Sequence, residues 1–153
     1  SAQDMLDACQ AWWPHMDGLI AAAAVADQRP ERCEAQKVKK VEGPETLTLV
    51  RTPDVLATLA SVKKPGQWLI GFAAESENHL AHAQAKLQKK GLDAVLLNDV
   101  SEGKGFGLQP NTLIPVTPQG PQPALGPAPK APLAFEIAAW LNELLAQKHE
   151  KQS

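Results

Sequence analysis

The chain contains no tyrosine, and only 5% of it is aromatic. A nucleic-acid platform of stacked rings set among basic residues therefore has little to be built from. Neither sign of charge dominates either, because 15 Lys and Arg face 17 Asp and Glu for a net charge of −2. That balance argues against a general polyanion-binding surface, and no nucleic-acid partner is expected. Long apolar runs are also missing. The longest, residues 19–26, stops at Asp27 and is far short of the roughly 20 residues a membrane helix needs, so no membrane partner is expected. Two cysteines, Cys9 and Cys33, make neither a metal-like spacing nor a disulfide framework. They fit a reducing cytoplasm. No secretory signal is visible at Ser1.

The most informative stretch is residues 17–27, Asp-Gly-Leu-Ile-Ala-Ala-Ala-Ala-Val-Ala-Asp. An apolar run of strand length passes into alanines and then meets a lone acid. Trimmed side chains at a strand's carboxyl end leave room for a ligand against the backbone. Tight packing and a helix cap would account for the same run by itself.

Periodicity orders the remaining elements. Residues 2–13 read as a helix with Met5, Cys9, Trp12 and Trp13 on one stripe, Asp4 as cap and Pro14 as stop. A strand is expected over 18–24 and irregular chain over 28–45. Thr46 to Arg51 alternates as a half-exposed strand. Thr52 is then read as the cap of a helix reaching Ala60, with Pro53 at its first position. Trp68 to Glu75 repeats the design of the first strand, ending in small residues and an acid. A helix over 77–90 turns Leu80, Ala83 and Leu87 inward and ends at Gly91. Asp93 to Leu97 is a further strand, tipped by Asn98 and Asp99. Asn111 to Val116 is expected as a short edge strand and the Pro-rich stretch 118–132 as an extended loop. A final helix over 133–148 carries Ile137, Trp140, Leu141, Leu144 and Leu145, and 149–153 should fray. Alternating strands and helices of these lengths imply one α/β domain over residues 1–148 with a largely parallel sheet.

Three strand ends then gather the candidate chemistry: Ala23 to Asp27, Phe72 to Glu75, and Asn98 with Asp99. Lysines are the second ingredient. Lys37, Lys39 and Lys40 crowd four residues, and Lys86 and Lys90 share a helix face at i, i+4, with Lys89 close by. Charge runs are ordinarily solvated faces. Here the first run follows Asp27 closely enough to fold back as a flap, and several lysines at a cleft suit a polyphosphate. His79 and His82, at i, i+3, lack a third metal ligand. No Ser-His-Asp or Cys-His arrangement is visible, and Gly103 to Gly107 is too short for a phosphate loop.

Blocks of sequence in one order carry a resemblance. They are Ala-Ala-Ala-Val-Ala-Asp (22–27), Lys-Val-Lys-Lys (37–40), Thr-Pro-Asp-Val-Leu (52–56) and Gly-Phe-Ala-Ala-Glu (71–75). Lys86-Leu87 with Lys90-Gly91 and Asp93, then Asn98-Asp99-Val100-Ser101, Gly105-Phe106-Gly107 and Asn111 follow. Together they resemble phosphopantothenate–cysteine ligase, the synthetase part of the bacterial bifunctional coenzyme A biosynthesis flavoprotein, from about Met5 to Leu145. The resemblance implies a Rossmann-like three-layer fold with a mostly parallel sheet. It implies a reaction in which CTP, with Mg²⁺, activates the carboxylate of 4′-phosphopantothenate as an acyl-cytidylate that cysteine then attacks. By motif position it places nucleotide contacts on Ala23, Asp27, Lys37, Thr52, Pro53, Asp54, Val55, Phe72, Lys86 and Lys90, with Lys37 as the essential lysine. It also implies a homodimer whose paired subunits build the site, and a flavin-dependent decarboxylase fused in the full-length protein.

The chemistry those residues offer is consistent with that reaction. Fixed cations must meet the charge developing at the α-phosphorus, and Lys37 on a closing flap would supply one while excluding water. Small residues at 22–24 admit a flat base. Asp27 suits either a ribose hydroxyl or an exocyclic amine. The family's synthetase region begins with a strand and a Gly/Ser-rich, Asn-containing segment that residues 1–16 do not match, so the N-terminal part is expected to be missing here. Gln28 stands where an aromatic residue is common, and the stretch 118–132 departs from the usual short connection. The competing expectation is a nucleotide-binding module without chemistry of its own. A flavin-binding partner is a third, but its histidine and flavin motifs are not found in this sequence.

Overall fold

Residues 1–33, 36–37, 43, 46–75, 79–99 and 110–150 are described by the structure, a computed structural model. The first helix, α1 (Ala2–Trp12), starts with a capping box: Ser1 Oγ accepts from the Asp4 N–H and the Asp4 carboxylate reaches back to the Ser1 amine. Asp4, expected as the cap, is instead the reciprocating residue. A 3-10 turn over Trp13–His15 follows, with Pro14 inside it. Of the expected stripe, Trp13 is buried and Cys9 packs against the core, joined by Leu6, whereas Met5 and Trp12 face solvent.

Three parallel strands form the centre of the sheet: β1 (Gly18–Ala21), β4 (Trp68–Glu75) and β5 (Ala94–Asp99), in the spatial order β1-β4-β5. The helix α3 (His79–Lys90) is the crossover from β4 to β5 and ends at Gly91 with φ +63°, as its sequence predicts. β1 stops three residues short of the expected end at 24.

Between β1 and β4 the chain leaves the sheet. β2 (Gln28–Pro30) pairs antiparallel with β3 (Leu49–Arg51) in a separate two-stranded ribbon. Residues 28–30 were expected to be irregular; a distant partner strand supplies the backbone hydrogen bonds that their polar composition does not advertise. The helix α2 (Val55–Ser61) begins later than expected. Asp54, not Thr52, is its cap: its backbone is extended and its Oδ1 accepts from the Ala57 N–H at 3.1 Å.

The C-terminal part closes the sheet with antiparallel strands. β6 (Asn111–Thr117) pairs with β5 on one side, and on the other with β7 (Gly120–Pro121) and β8 (Leu125–Ala128). Two expectations are corrected here: β6 is an interior strand, not a short edge, and residues 118–132 hold β7, β8 and the start of a helix, not one extended loop. Prolines are tolerated because Pro115 lies between the β8-paired and β7-paired halves of β6, where the outer ladder is interrupted. The last helix, α4 (Lys130–Glu150), begins ahead of the expected 133. Pro132 fits its first turn, where backbone N–H groups have no helical partner.

Alternation along the strands creates two cores. Leu69 and Ala73 of β4 with Val95 and Leu97 of β5 pack under Leu6, Leu56, Leu59, Ala83 and Leu87 of α1, α2 and α3. Ile70, Ala94 and Leu96 face the other way, toward Leu133 and Leu141 of α4. Ile137, Trp140, Leu144 and Leu145 pack beside them, as the helical periodicity predicts. Leu80, expected inward on α3, is 42% exposed. With both faces covered, β4 and β5 read as continuous apolar runs. The result is three layers: three helices, the sheet, and α4.

Two details fix the strand that borders the candidate site. A Cβ on Gly18 would stand 2.0 Å from the Trp68 ring, so glycine lets that indole lie on the β1 backbone. Gln67, 7% exposed, donates to the carbonyls of Trp13 at 2.8 Å and Met16 at 2.7 Å while accepting from the Lys64 N–H. This buried amide ties the end of α1 to the start of β4 with its hydrogen bonds satisfied. Among the described residues, no helix is long and apolar enough to cross a membrane.

Candidate functional site

The carboxyl ends of the parallel strands are not level. β1 makes its last pair, Ala21 with Gly71, while β4 continues through Phe72–Glu75 alongside Leu96–Asp99 of β5. The overhang makes a step in the sheet, and Ala22, Ala23 and Ala24 lie exposed where β1 departs. Their side chains are only methyl groups, so little bulk stands at that departure.

Thr52 ties the two chain segments beside this step. Its N–H donates to the Asp27 carbonyl at 3.1 Å, and its hydroxyl donates to the Ala26 carbonyl. The exit from β1 is thus fastened to the entry of α2. Pro53 continues the turn, half-buried, and Val55 sends its side chain into the core, so only its backbone faces the turn.

The helix lysines come to the same place from the other side. Lys86 Nζ donates to the Phe72 carbonyl at 2.7 Å, one residue past the last β1–β4 pair. Lys90 Nζ forms an ion pair with Asp54 Oδ2 at 2.8 Å. Partial burial raises the Asp54 carboxyl, but the Lys90 and Ala57 hydrogen bonds and the charges of Lys90 and Lys86 outweigh it, holding the group below the usual carboxylate range. Phe72 is half-buried and packs with the α4 core.

Contacts therefore connect Asp27, Thr52, Asp54, Phe72, Lys86 and Lys90 through adjoining backbone and side chains, with Ala23 on the same β1 exit and Pro53 and Val55 within the turn. Lys37 is exposed, and among the described residues no hydrogen bond or ion pair joins it to this group. Lys39 and Lys40 of its run, and Gly103, Gly105 and Gly107, lie outside the described residues. Among the described residues no three His, Cys, Asp or Glu side chains converge, His79 and His82 included.

The pairing of Asp54 with Lys90 was not legible from spacing, since the two lie 36 residues apart. Two buried amide oxygens were also not foreseen as unpaired: Oδ1 of Asn98 near the tip of β5 and Oδ1 of Asn111 at the start of β6. A groove of about 490 Å³ lies elsewhere, between β8 and α4, lined by Leu125, Glu136, Trp140 and Leu144 among others. It shares no residue with the cluster and carries no lysine.

Parallel strands at the centre of a mixed sheet, a stepped carboxyl edge and helices on both faces define the class: a Rossmann-like three-layer α/β domain. The chain belongs to the family described as the DNA/pantothenate metabolism flavoprotein C-terminal domain, which matches residues 1–145. It is 39% identical over 148 residues to the coenzyme A biosynthesis bifunctional protein CoaBC of Vibrio vulnificus (strain YJ016), covering 95% of this chain. It is 38% identical over 152 residues to the protein of that name from Bacillus subtilis (strain 168), covering 99% of this chain. This chain spans 37% of the length of each. The crystal structure of the C-terminal domain of a CoaBC protein superposes with a TM-score of 0.75 at 32% identity, over 96% of this chain and 64% of that one. A DNA/pantothenate metabolism flavoprotein from Streptococcus pneumoniae shares the fold, with a TM-score of 0.71 at 20% identity over 96% of this chain and 70% of that one.

Proposed function

We propose that this chain carries the nucleotide site of a CTP-dependent phosphopantothenate–cysteine ligase of coenzyme A biosynthesis. The observation that supports this best is the linkage just described, in which Asp27, Thr52, Asp54, Phe72, Lys86 and Lys90 meet at the step of the sheet. Triphosphate charge needs cations held in place, and Lys86 and Lys90 are both tethered.

In this reading the base lies over Ala23 and beside Phe72, and Asp27 takes a hydroxyl or amine of the nucleoside. The turn Thr52-Pro53-Asp54-Val55 borders it, and Lys86 and Lys90 stand toward the phosphates. A carboxylate oxygen of 4′-phosphopantothenate forms a bond to the α-phosphorus as the α–β bridge breaks, so pyrophosphate leaves. The amine of cysteine then bonds to the acyl carbon, the acyl–oxygen bond breaks, CMP leaves and the nitrogen loses a proton. Lys37 is the catalytic cation, acting on charge that appears at the α-phosphorus. Mg²⁺ would enter with the triphosphate and add charge neutralisation there. A homodimer, a cytoplasmic location and a fused flavin-dependent decarboxylase complete the proposal.

The test is pyrophosphate release from CTP, Mg²⁺, 4′-phosphopantothenate and cysteine. It is run on this chain alone and with a Gly/Ser-rich synthetase segment from a matched relative supplied in trans. Release in either arm supports the ligase. CTP binding with no release in both arms supports the second reading, a nucleotide-binding module without chemistry of its own. Absence of both binding and release overturns both readings.

A further inference from the structure

The Asp54 carboxylate stands in a place that is awkward for a nucleotide contact. A second anion beside a triphosphate repels it, yet both Asp54 oxygens already have partners within the fold. Oδ1 accepts from the Ala57 N–H and closes the first turn of α2, while Oδ2 holds Lys90 Nζ at 2.8 Å. The Lys90 side chain is 23% exposed, so its four-carbon stem is largely packed and only the head is aimed by a partner. The neighbouring Lys86 is held separately, its head resting on the Phe72 carbonyl at 2.7 Å.

We propose that Asp54 is a positioning residue, which fixes the ammonium group of Lys90 for the phosphates and does not itself contact the nucleotide. The inference rests on the nucleotide site proposed above and deepens it. A lysine free in solution samples many rotamers, and holding it in one geometry before the ligand arrives removes that cost from binding. The α2 cap makes Asp54 a rigid post for this purpose, because its own rotamer is set by the bond to Ala57.

The two views of Asp54 predict opposite signs. If the carboxylate acted only as a nearby negative charge, Asp54→Asn would tighten CTP binding. If it positions Lys90, the same change weakens binding, by about fivefold, within the range of coupled neighbours. Asparagine caps helices as well as aspartate does, so α2 stays closed. Calorimetric titration of CTP with Mg²⁺ into four proteins decides the matter: the unaltered chain, Asp54→Asn, Lys90→Met and the double variant. Weaker binding by Asp54→Asn that vanishes in the Lys90→Met background is the expected result. Unchanged or tighter binding overturns the inference, and so does a loss that persists undiminished when Lys90 is already gone. If the unaltered chain itself does not bind CTP, the nucleotide site fails and takes this inference with it. Asp54→Ser, which also caps, must reproduce the Asn result; if it binds as tightly as the unaltered chain, the role is overturned.

Discussion

Lys86 reaches across from α3 to place its ammonium nitrogen 2.7 Å from the Phe72 carbonyl, one residue past the point where β1 ceases to pair with β4. A charged donor occupies that carbonyl beside the step of the sheet.

Replacing Lys86 by Met keeps the stem and removes the charge. Binding of CTP with Mg²⁺ should weaken by about tenfold or more, the order expected for one charge-assisted contact. Calorimetry reads the affinity, and a thermal melt should move much less than the affinity does. An unchanged affinity would remove Lys86 from the site.

Among the described residues no hydrogen bond or ion pair joins Lys37 to the cluster, and its proposed work is confined to the transition state. Lys37→Gln should therefore cut pyrophosphate release by about a hundredfold or more in the active assembly. CTP affinity and circular dichroism should stay close to those of the parent. A loss of binding as large as the loss of rate would make Lys37 a ground-state contact.

Asp54 gives a pH dependence of known sign. Its carboxyl is lowered in the folded chain from the usual 3.8, so the group binds protons more weakly folded than unfolded. The stability it contributes is complete above the unfolded value and is lost as pH falls through the lower, folded one. Thermal midpoints of the parent and Asp54→Asn should differ at neutral pH and converge below the usual aspartate range. The side chain is 44% exposed, and solvent screening keeps the difference small. A gap that widens on acidification would reverse the assignment.

Gly18 is a packing prediction. Because an added Cβ would fall 2.0 Å from the Trp68 ring, Gly18→Ala should destabilise the fold by about 1–3 kcal/mol. Chemical denaturation measures it. Combining the change with Trp68→Leu should recover part of the loss, and full additivity of the two would show that they do not meet.

The legible parts of this chain were those governed by local pattern. The apolar runs of β4 and β5, the heptad-like spacing of α4 and the glycine closing α3 all follow from neighbours in sequence. What escaped was set by distant partners. β2 exists because Leu49–Arg51 lies opposite it, and β7 and β8 exist because β6 offers its outer edge. Thr52 looked like a helix cap because its hydroxyl is the right chemistry, but that hydroxyl is spent on Ala26 and the capping falls to Asp54.

The site shows the same division. Alanines at the β1 exit and the i, i+4 spacing of Lys86 and Lys90 were readable directly, since both are local. Which carboxylate would hold Lys90 was not, because α2 and α3 are brought together only by packing over the sheet.

Strand β4 has consequences for how this domain can change. Leu69 and Ala73 look toward three helices, Ile70 and Phe72 toward the fourth, and the carbonyl met by Lys86 belongs to the same peptide run. Deleting or inserting one residue between positions 68 and 72 would invert the faces of the residues beyond the change relative to those before it. Substitutions of similar volume would disturb this segment least, whereas a change in its length would also displace the chemistry at its tip.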